Sequence, residues 1–391
     1  MPRAVRDRGD RAPVPLALPG GGRLLRRILL LIKGLGRGGA EQLLASAAPY
    51  LDRGRFRYEV AYLLPWKDDL VAELEAAGLR VHCLGARGPS WIANLVALVR
   101  NGGFDLVHAH SPVPAIGARV AFPRRARLPI VYTEHNVWER YQRATFWANA
   151  LTFARNDHVI AVSEHVRASI RYPVPLRRLP MPTVETRYYG VDPTALASVA
   201  PVDGVREELG VPSDVPVVGT VANFKPGKGH RYLVEAAARV RRAVPDVRFV
   251  LVGRGPTEPD ARRWVRELGL ESSFVFAGFR EDAPKVMRTF DVLAVPSVHD
   301  GLSIALLEAM SLGKPAVLTR AGGNAEVVRD GEQGLVVPRA DPDALADGIV
   351  RLLRDDGLRV RMGTAAKAQA MGFDIRDAVQ RTEEIYEGLL R

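Results

Sequence analysis

The sequence predicts an α/β protein built from two doubly wound parallel sheets that face one another. Three observations carry this expectation. Short apolar runs of strand length alternate with helical stretches from residue 27 to 163, and the same alternation restarts from 215 to 338. A Pro-rich, irregular stretch from 173 to 204 separates the two series, and a glycine-rich loop follows the first strand of each. A chain of 391 residues with 47% hydrophobic content is long enough for two sizeable cores.

Taken in order, Ile28-Leu29-Leu30-Leu31-Ile32 reads as a buried first strand over 28–33, followed by a glycine-rich turn and a helix over about 39–52. Further strands are expected near 57–64, 79–84, 104–109, 129–134 and 158–162, with helices between them. In the second series they fall near 215–222, 247–253, 274–279, 292–296, 315–319 and 334–338. The expected division is a disordered basic tail over 1–22, domains over 23–190 and 191–373, and a last segment over 374–391. Ligands of such sheets bind beyond the carboxyl ends of the strands, so two facing sheets share one cleft.

Composition narrows the partners. One cysteine, Cys83, excludes an internal disulfide and a cysteine-rich metal site, which fits a reducing compartment, so a cytoplasmic protein is expected. The first apolar run is broken at Lys33, too early for a membrane span. Residues 1–200 hold 28 Lys and Arg against 16 Asp and Glu, whereas residues 201–391 hold 27 against 28, so the basic excess belongs to the first half. That half attracts an anionic partner such as a membrane surface. Nucleic acid is not expected, because the excess is scattered and no basic stripe alternates with stacking aromatics.

Residues 296–313 carry the most specific signal. Asp300 sits beside Gly301, a helix follows, and Glu308 interrupts its apolar face. The amides of Leu302, Ser303 and Ile304 at the helix start suit an anion. Glu308, one turn past Ile304, is placed to accept two ribose hydroxyls if a diphosphate rests on those amides. The same spacing equally suits a plain helix capped by Asp300 with an acid at its rim.

This run resembles the donor-site signature of the retaining glycosyltransferases of family four: Pro296-Ser297, Gly301, Glu308-Ala309-Met310, Gly313 and Pro315 stand in place, while Asp300 replaces the family's Glu. The resemblance implies a GT-B fold, in which two Rossmann-like domains face a cleft and the last helix, here from about Asp374, crosses back to the first domain. It assigns acceptor binding to the first domain and the nucleotide sugar to the second. The implied activity is transfer of a sugar from a nucleoside diphosphate sugar to an acceptor hydroxyl with retention, in the synthesis of a cell-envelope glycan, glycolipid or polysaccharide. The implied acceptor is a glycan or lipid-linked sugar, and the implied location is the cytoplasm or the inner membrane face. No cofactor and no metal are inferred; Asp341-Pro342-Asp343 reads as a helix cap rather than a metal site.

Other segments match the same family. Gly38, Gly39 and Glu41, in the loop after the first strand, are placed by the diphosphate and the acceptor, although a plain tight turn explains the glycines as well. Lys228 is expected to neutralise the leaving diphosphate. Asn223 stands where the family usually has an Arg, with Lys225 expected to supply the missing charge. Gly253, Gly278 and Phe279 fall where the nucleotide would lie. His135, beside Asn136 at the end of a strand, resembles the histidine that faces the donor sugar, with His110 its rival. Residues 138–155, with Trp138, Tyr141, Phe146, Trp147, Leu151 and Phe153 among arginines, read either as a core helix or as a helix lying on a membrane. Two alternatives to a transferase are a non-catalytic sugar-nucleotide-binding subunit and a sugar-nucleotide epimerase or hydrolase of the same fold.

Overall fold

The computed structural model describes residues 25–85, 88–199 and 204–391; the tail expected over 1–22 lies outside the described residues. The first sheet has seven strands, β1 (Arg26–Ile32), β2 (Phe56–Tyr62), β3 (Arg80–Cys83), β4 (Leu106–His110), β5 (Ile130–Glu134), β6 (His158–Ala161) and β7 (Thr183–Thr186). The second has six, β8 (Val217–Val221), β9 (Arg248–Val252), β10 (Phe274–Gly278), β11 (Val292–Val295), β12 (Ala316–Thr319) and β13 (Gly334–Val337). Their orders are β3-β2-β1-β4-β5-β6-β7 and β10-β9-β8-β11-β12-β13. All the pairings between these strands are parallel. Continuous apolar runs such as Ile28 to Ile32, nowhere more than 3% exposed, are what a parallel sheet covered on both faces requires.

In both sheets the strand order reverses beside the first strand, between β1 and β4 and between β8 and β11. A crevice opens at each reversal beyond the carboxyl ends. One strand was not legible: β7, Thr-Val-Glu-Thr at the sheet edge, is half-buried, short and polar, so it lacks the apolar run that marks its neighbours.

The chain returns to the first domain through the helix Ile375–Leu390, whose start is capped by Asp374. Gly190 makes room for the crossing, since a Cβ there would lie 2.3 Å from the Ile375 nitrogen. Tyr386 reaches His108 Nδ1 at 2.5 Å, and Glu383 accepts from the Tyr58 hydroxyl at 2.6 Å and the Asp52 amide at 2.9 Å. These buried bonds fix the last helix to the first domain.

Candidate functional site

Strand β11 ends at Val295, and an eight-residue loop leads to the helix Ile304–Ser311, whose N-cap is Ser303 rather than Asp300. The plain-cap reading of Asp300 therefore fails. Its carboxylate instead accepts from Lys228 Nζ at 2.6 Å, Ser297 Oγ at 3.2 Å and Asn324 Nδ2 at 3.4 Å. Gly322 permits this convergence: it adopts φ 59°, and a Cβ would lie 1.7 Å from the Asp300 carbonyl oxygen. The expectation of three free amides at the helix start needs one correction. The Ser303 amide donates to Asn324 Oδ1 at 2.7 Å, because the short helix after Gly323 brings Asn324 against it, whereas Leu302 and Ile304 keep amides with no partner among the described residues.

Glu308 is half-buried, and its carboxylate has no hydrogen bond or ion pair among the described residues. Burial alone pushes its pKa up to about 7. A partly desolvated carboxylate with no donor among the described residues is open to a partner from outside.

The loop after β8 supplies Lys228. Lys225 is exposed; together with Lys67 and Lys33 it acts electrostatically on Glu41, whose carboxyl burial pushes up. Glu41 folds back against Gly38, and Gly39 opens the first helix, Gly39–Ala47. Asn223 Nδ2 donates to the Arg37 carbonyl at 3.1 Å, tying this loop to the second domain. At the ends of β9 and β10, the Gly253 amide meets the Gly278 carbonyl at 2.7 Å. Arg37 and Arg254 both stand over the Phe279 ring, 4.7 and 5.3 Å from its centroid, and pair with Glu281 and Asp69 at 2.5 and 3.1 Å. Gly301 faces the opposite domain, where a Cβ would lie 2.6 Å from the His135 carbonyl oxygen.

The two histidines weighed as rivals are neighbours: His110 Nδ1 lies 3.3 Å from His135 Nε2. Burial holds both neutral, with His110 pushed down to about 4 and His135 to about 3, the latter helped by His110. Asn136 is exposed, and its amide donates to Glu134 at 3.2 Å. Glu134, fully buried, accepts also from Tyr132 at 2.6 Å, Trp138 Nε1 at 3.0 Å and Tyr141, and so fixes the turn that presents His135.

Sequence reasoning gave no side-chain role to Glu134, to Asn324 within the matching run Gly322 to Glu326, to Arg37 within the first glycine loop, or to Tyr189, whose hydroxyl lies 3.5 Å from His135 Nδ1. Glu134 left a trace of its own, an acid closing an apolar strand shortly before Trp138 and Tyr141. Residues 138–155 do not form one helix: Trp138 and Phe153 are core, and only Trp147 (39%) and Leu151 (59%), a turn apart on Arg143–Thr152, expose large apolar area. The core reading holds for most of the segment. Among the described residues no helix is long and apolar enough to cross a membrane, and no cluster of three or more His, Cys, Asp or Glu is arranged for a metal ion.

Comparison with known proteins fits this geometry. Residues 37–193 match the model described as Glycosyltransferase Family 4, and residues 215–355 match that described as Glycosyl transferases group 1. The D-inositol 3-phosphate glycosyltransferase of Corynebacterium efficiens is 29% identical, over 79% of this chain and 77% of that protein. The UDP-Gal:alpha-D-GlcNAc-diphosphoundecaprenol alpha-1,3-galactosyltransferase of Escherichia coli is 26% identical, over 75% and 78%. Anabaena Alr3699/HepE, solved with UDP and glucose, superposes with a TM-score of 0.82 at 25% identity, over 93% of this chain and all of that one. With two Rossmann-like sheets of GT-B arrangement and both halves matched, this chain is an enzyme and belongs to the glycosyltransferases of family 4, group 1.

Proposed function

We propose that this glycosyltransferase moves a hexose from a uridine diphosphate sugar to an acceptor hydroxyl with retention of anomeric configuration. The observation that carries the reading is the unpartnered, half-buried Glu308 carboxylate one turn beyond the free Leu302 and Ile304 amides. In this reading Glu308 accepts the ribose hydroxyls, the amides and Lys228 receive the diphosphate, and Gly253, Gly278 and Phe279 border the base. The preference for uridine rests on likeness to HepE, whose structure contains UDP and glucose.

Lys228 Nζ is paired with Asp300 at 2.6 Å. Donor binding transfers Lys228 to the diphosphate and releases Asp300 toward the sugar, across from His135. His135, neutral at working pH, holds the sugar by a hydrogen bond and is too weakly basic to act as a charged acid. No protein nucleophile enters. Glu134 is held by four donors, and the leaving phosphate takes the acceptor's proton on the same face. Glu41, His110 and Asn136 stand on the acceptor side.

The same reading divides the chain into an acceptor domain (23–190), a donor domain (191–373) and the crossover helix. It places the product in an envelope glycan or lipid-linked oligosaccharide, in line with the diphosphoundecaprenol-linked sugar in the name of the E. coli relative. Exposed Trp147 and Leu151 and the basic first domain support docking on an anionic membrane face. Anionic vesicles should capture the protein at low salt and release it at high salt; no capture at low salt removes that element. The donor assignment is tested by thermal shift with UDP, GDP and ADP, where UDP should stabilise most and equal response to all three would refute the choice of base.

A further inference from the structure

A partly open cavity of about 140 Å³ lies where the crossover helix packs on the first domain, between it and the first helix. Leu44 and Ala47 form one wall, Ala378 and Val379 the other, and the lining includes Tyr189 and His135, whose carbonyl meets the Gly301 loop. We propose that this cavity receives an apolar group of the acceptor, so that the crossover helix selects the acceptor as well as joining the domains. The proposal deepens the reading above and rests on it for the position of the donor sugar.

Three observations support it. First, the cavity adjoins the donor site: the His135 carbonyl meets the Gly301 loop, and the Asp300 charge contributes to raising the Tyr189 hydroxyl above its ordinary value, after burial. Second, the side walls are aliphatic, and the volume is close to that of an engineered apolar cavity of about 150 Å³ that takes up benzene, although this one is partly open. Third, its polar groups are distributed unevenly. Glu383 is satisfied by Tyr58 and the Asp52 amide, whereas His110 Nε2 and Arg187 Nε are buried with no partner among the described residues. That arrangement fits a mainly apolar ligand that offers a hydrogen-bonding group beside the histidines.

The occupant is therefore an aliphatic or aryl group of roughly benzene size, with the hydroxyl that receives the sugar held near His110 and His135. Glu383 and Arg187 also line the cavity, but Glu383 already accepts from Tyr58 and the Asp52 amide, and Arg187 donates to Glu185 at 2.9 Å.

The test uses the full chain saturated with UDP, titrated calorimetrically with benzyl alcohol, 1-hexanol and glycerol. Benzyl alcohol or 1-hexanol should bind one per chain and glycerol should not; the better binder tells an aryl from an aliphatic occupant. Ala378→Phe and Ala47→Phe fill the cavity from opposite walls, and each should weaken that binding at least tenfold. UDP titration of each variant reports that it is folded, and if one fails to fold the other decides. Absence of saturable binding of both apolar alcohols to the wild type, or unchanged binding in a folded filled variant, overturns the proposal. Failure of the donor assignment would show separately, as UDP affinity indifferent to Glu308.

Discussion

Replacing Glu308 by alanine is expected to weaken UDP binding by a factor of about 10² to 10³. Two hydroxyls donating to one carboxylate contribute about 3 to 4 kcal/mol together. Titration calorimetry reads this directly, and an affinity within threefold of wild type would remove the ribose contact. The raised pKa supplies two further signatures. Only the ionised carboxylate accepts both hydroxyls, so affinity for a UDP-sugar should climb with pH through about 7 and then level off, and Glu308→Gln should flatten the profile.

The unliganded protein should respond in the opposite sense. For an acid raised from 4.5 to about 7 on folding, the folded state carries no penalty below about pH 4.5, an increasing one between the two values, and a constant one above. Glu308→Gln should therefore be more stable than wild type at pH 8, by about 1 to 3 kcal/mol, with the gain gone near pH 4.5. A variant that binds donor less well and melts later is the expected mark of a binding carboxylate kept without its partner.

Lys228→Ala should lower kcat by about 10² to 10³, the scale of removing one preorganised charge from a leaving group. Its effect should not add to that of Asp300. In the wild type the two are paired at 2.6 Å, so deleting the lysine leaves a buried carboxylate facing the incoming diphosphate. Adding Asp300→Ala should restore part of the lost UDP affinity while leaving turnover low, since the sugar contact is then missing as well. Steady-state kinetics and UDP titration on the two single variants and the double variant test this. A kcat within twofold of wild type for Lys228→Ala would contradict the role.

The fold was legible where burial leaves a simple pattern. Strands β1, β8 and β11 sit at sheet centres covered on both faces, and their apolar runs announce them. β7 lies at an edge and carries Thr-Val-Glu-Thr, which satisfies an edge as well as it would a loop. In the site, Glu308 and the helix start were readable because the whole device lies within one short segment.

What was not readable is held together by residues far apart in the chain. Asn324 occupies the Ser303 amide from twenty-one positions away, and Lys228 reaches Asp300 across seventy-two. The neighbouring positions of His110 and His135 depend on the pairing of β4 with β5, which composition does not reveal. Asn223, which looked like a missing charge, turns out to tie the Arg37 loop across the cleft. Arg37, from the other domain, and Arg254 both place guanidinium groups over Phe279.

The most direct test is a crystal structure of the chain with UDP. The diphosphate should rest on the Leu302 and Ile304 amides beside Lys228, with both ribose hydroxyls within hydrogen-bond reach of Glu308. A nucleotide bound in any other crevice, or a Glu308 carboxylate left without a partner in the occupied site, would contradict the assignment.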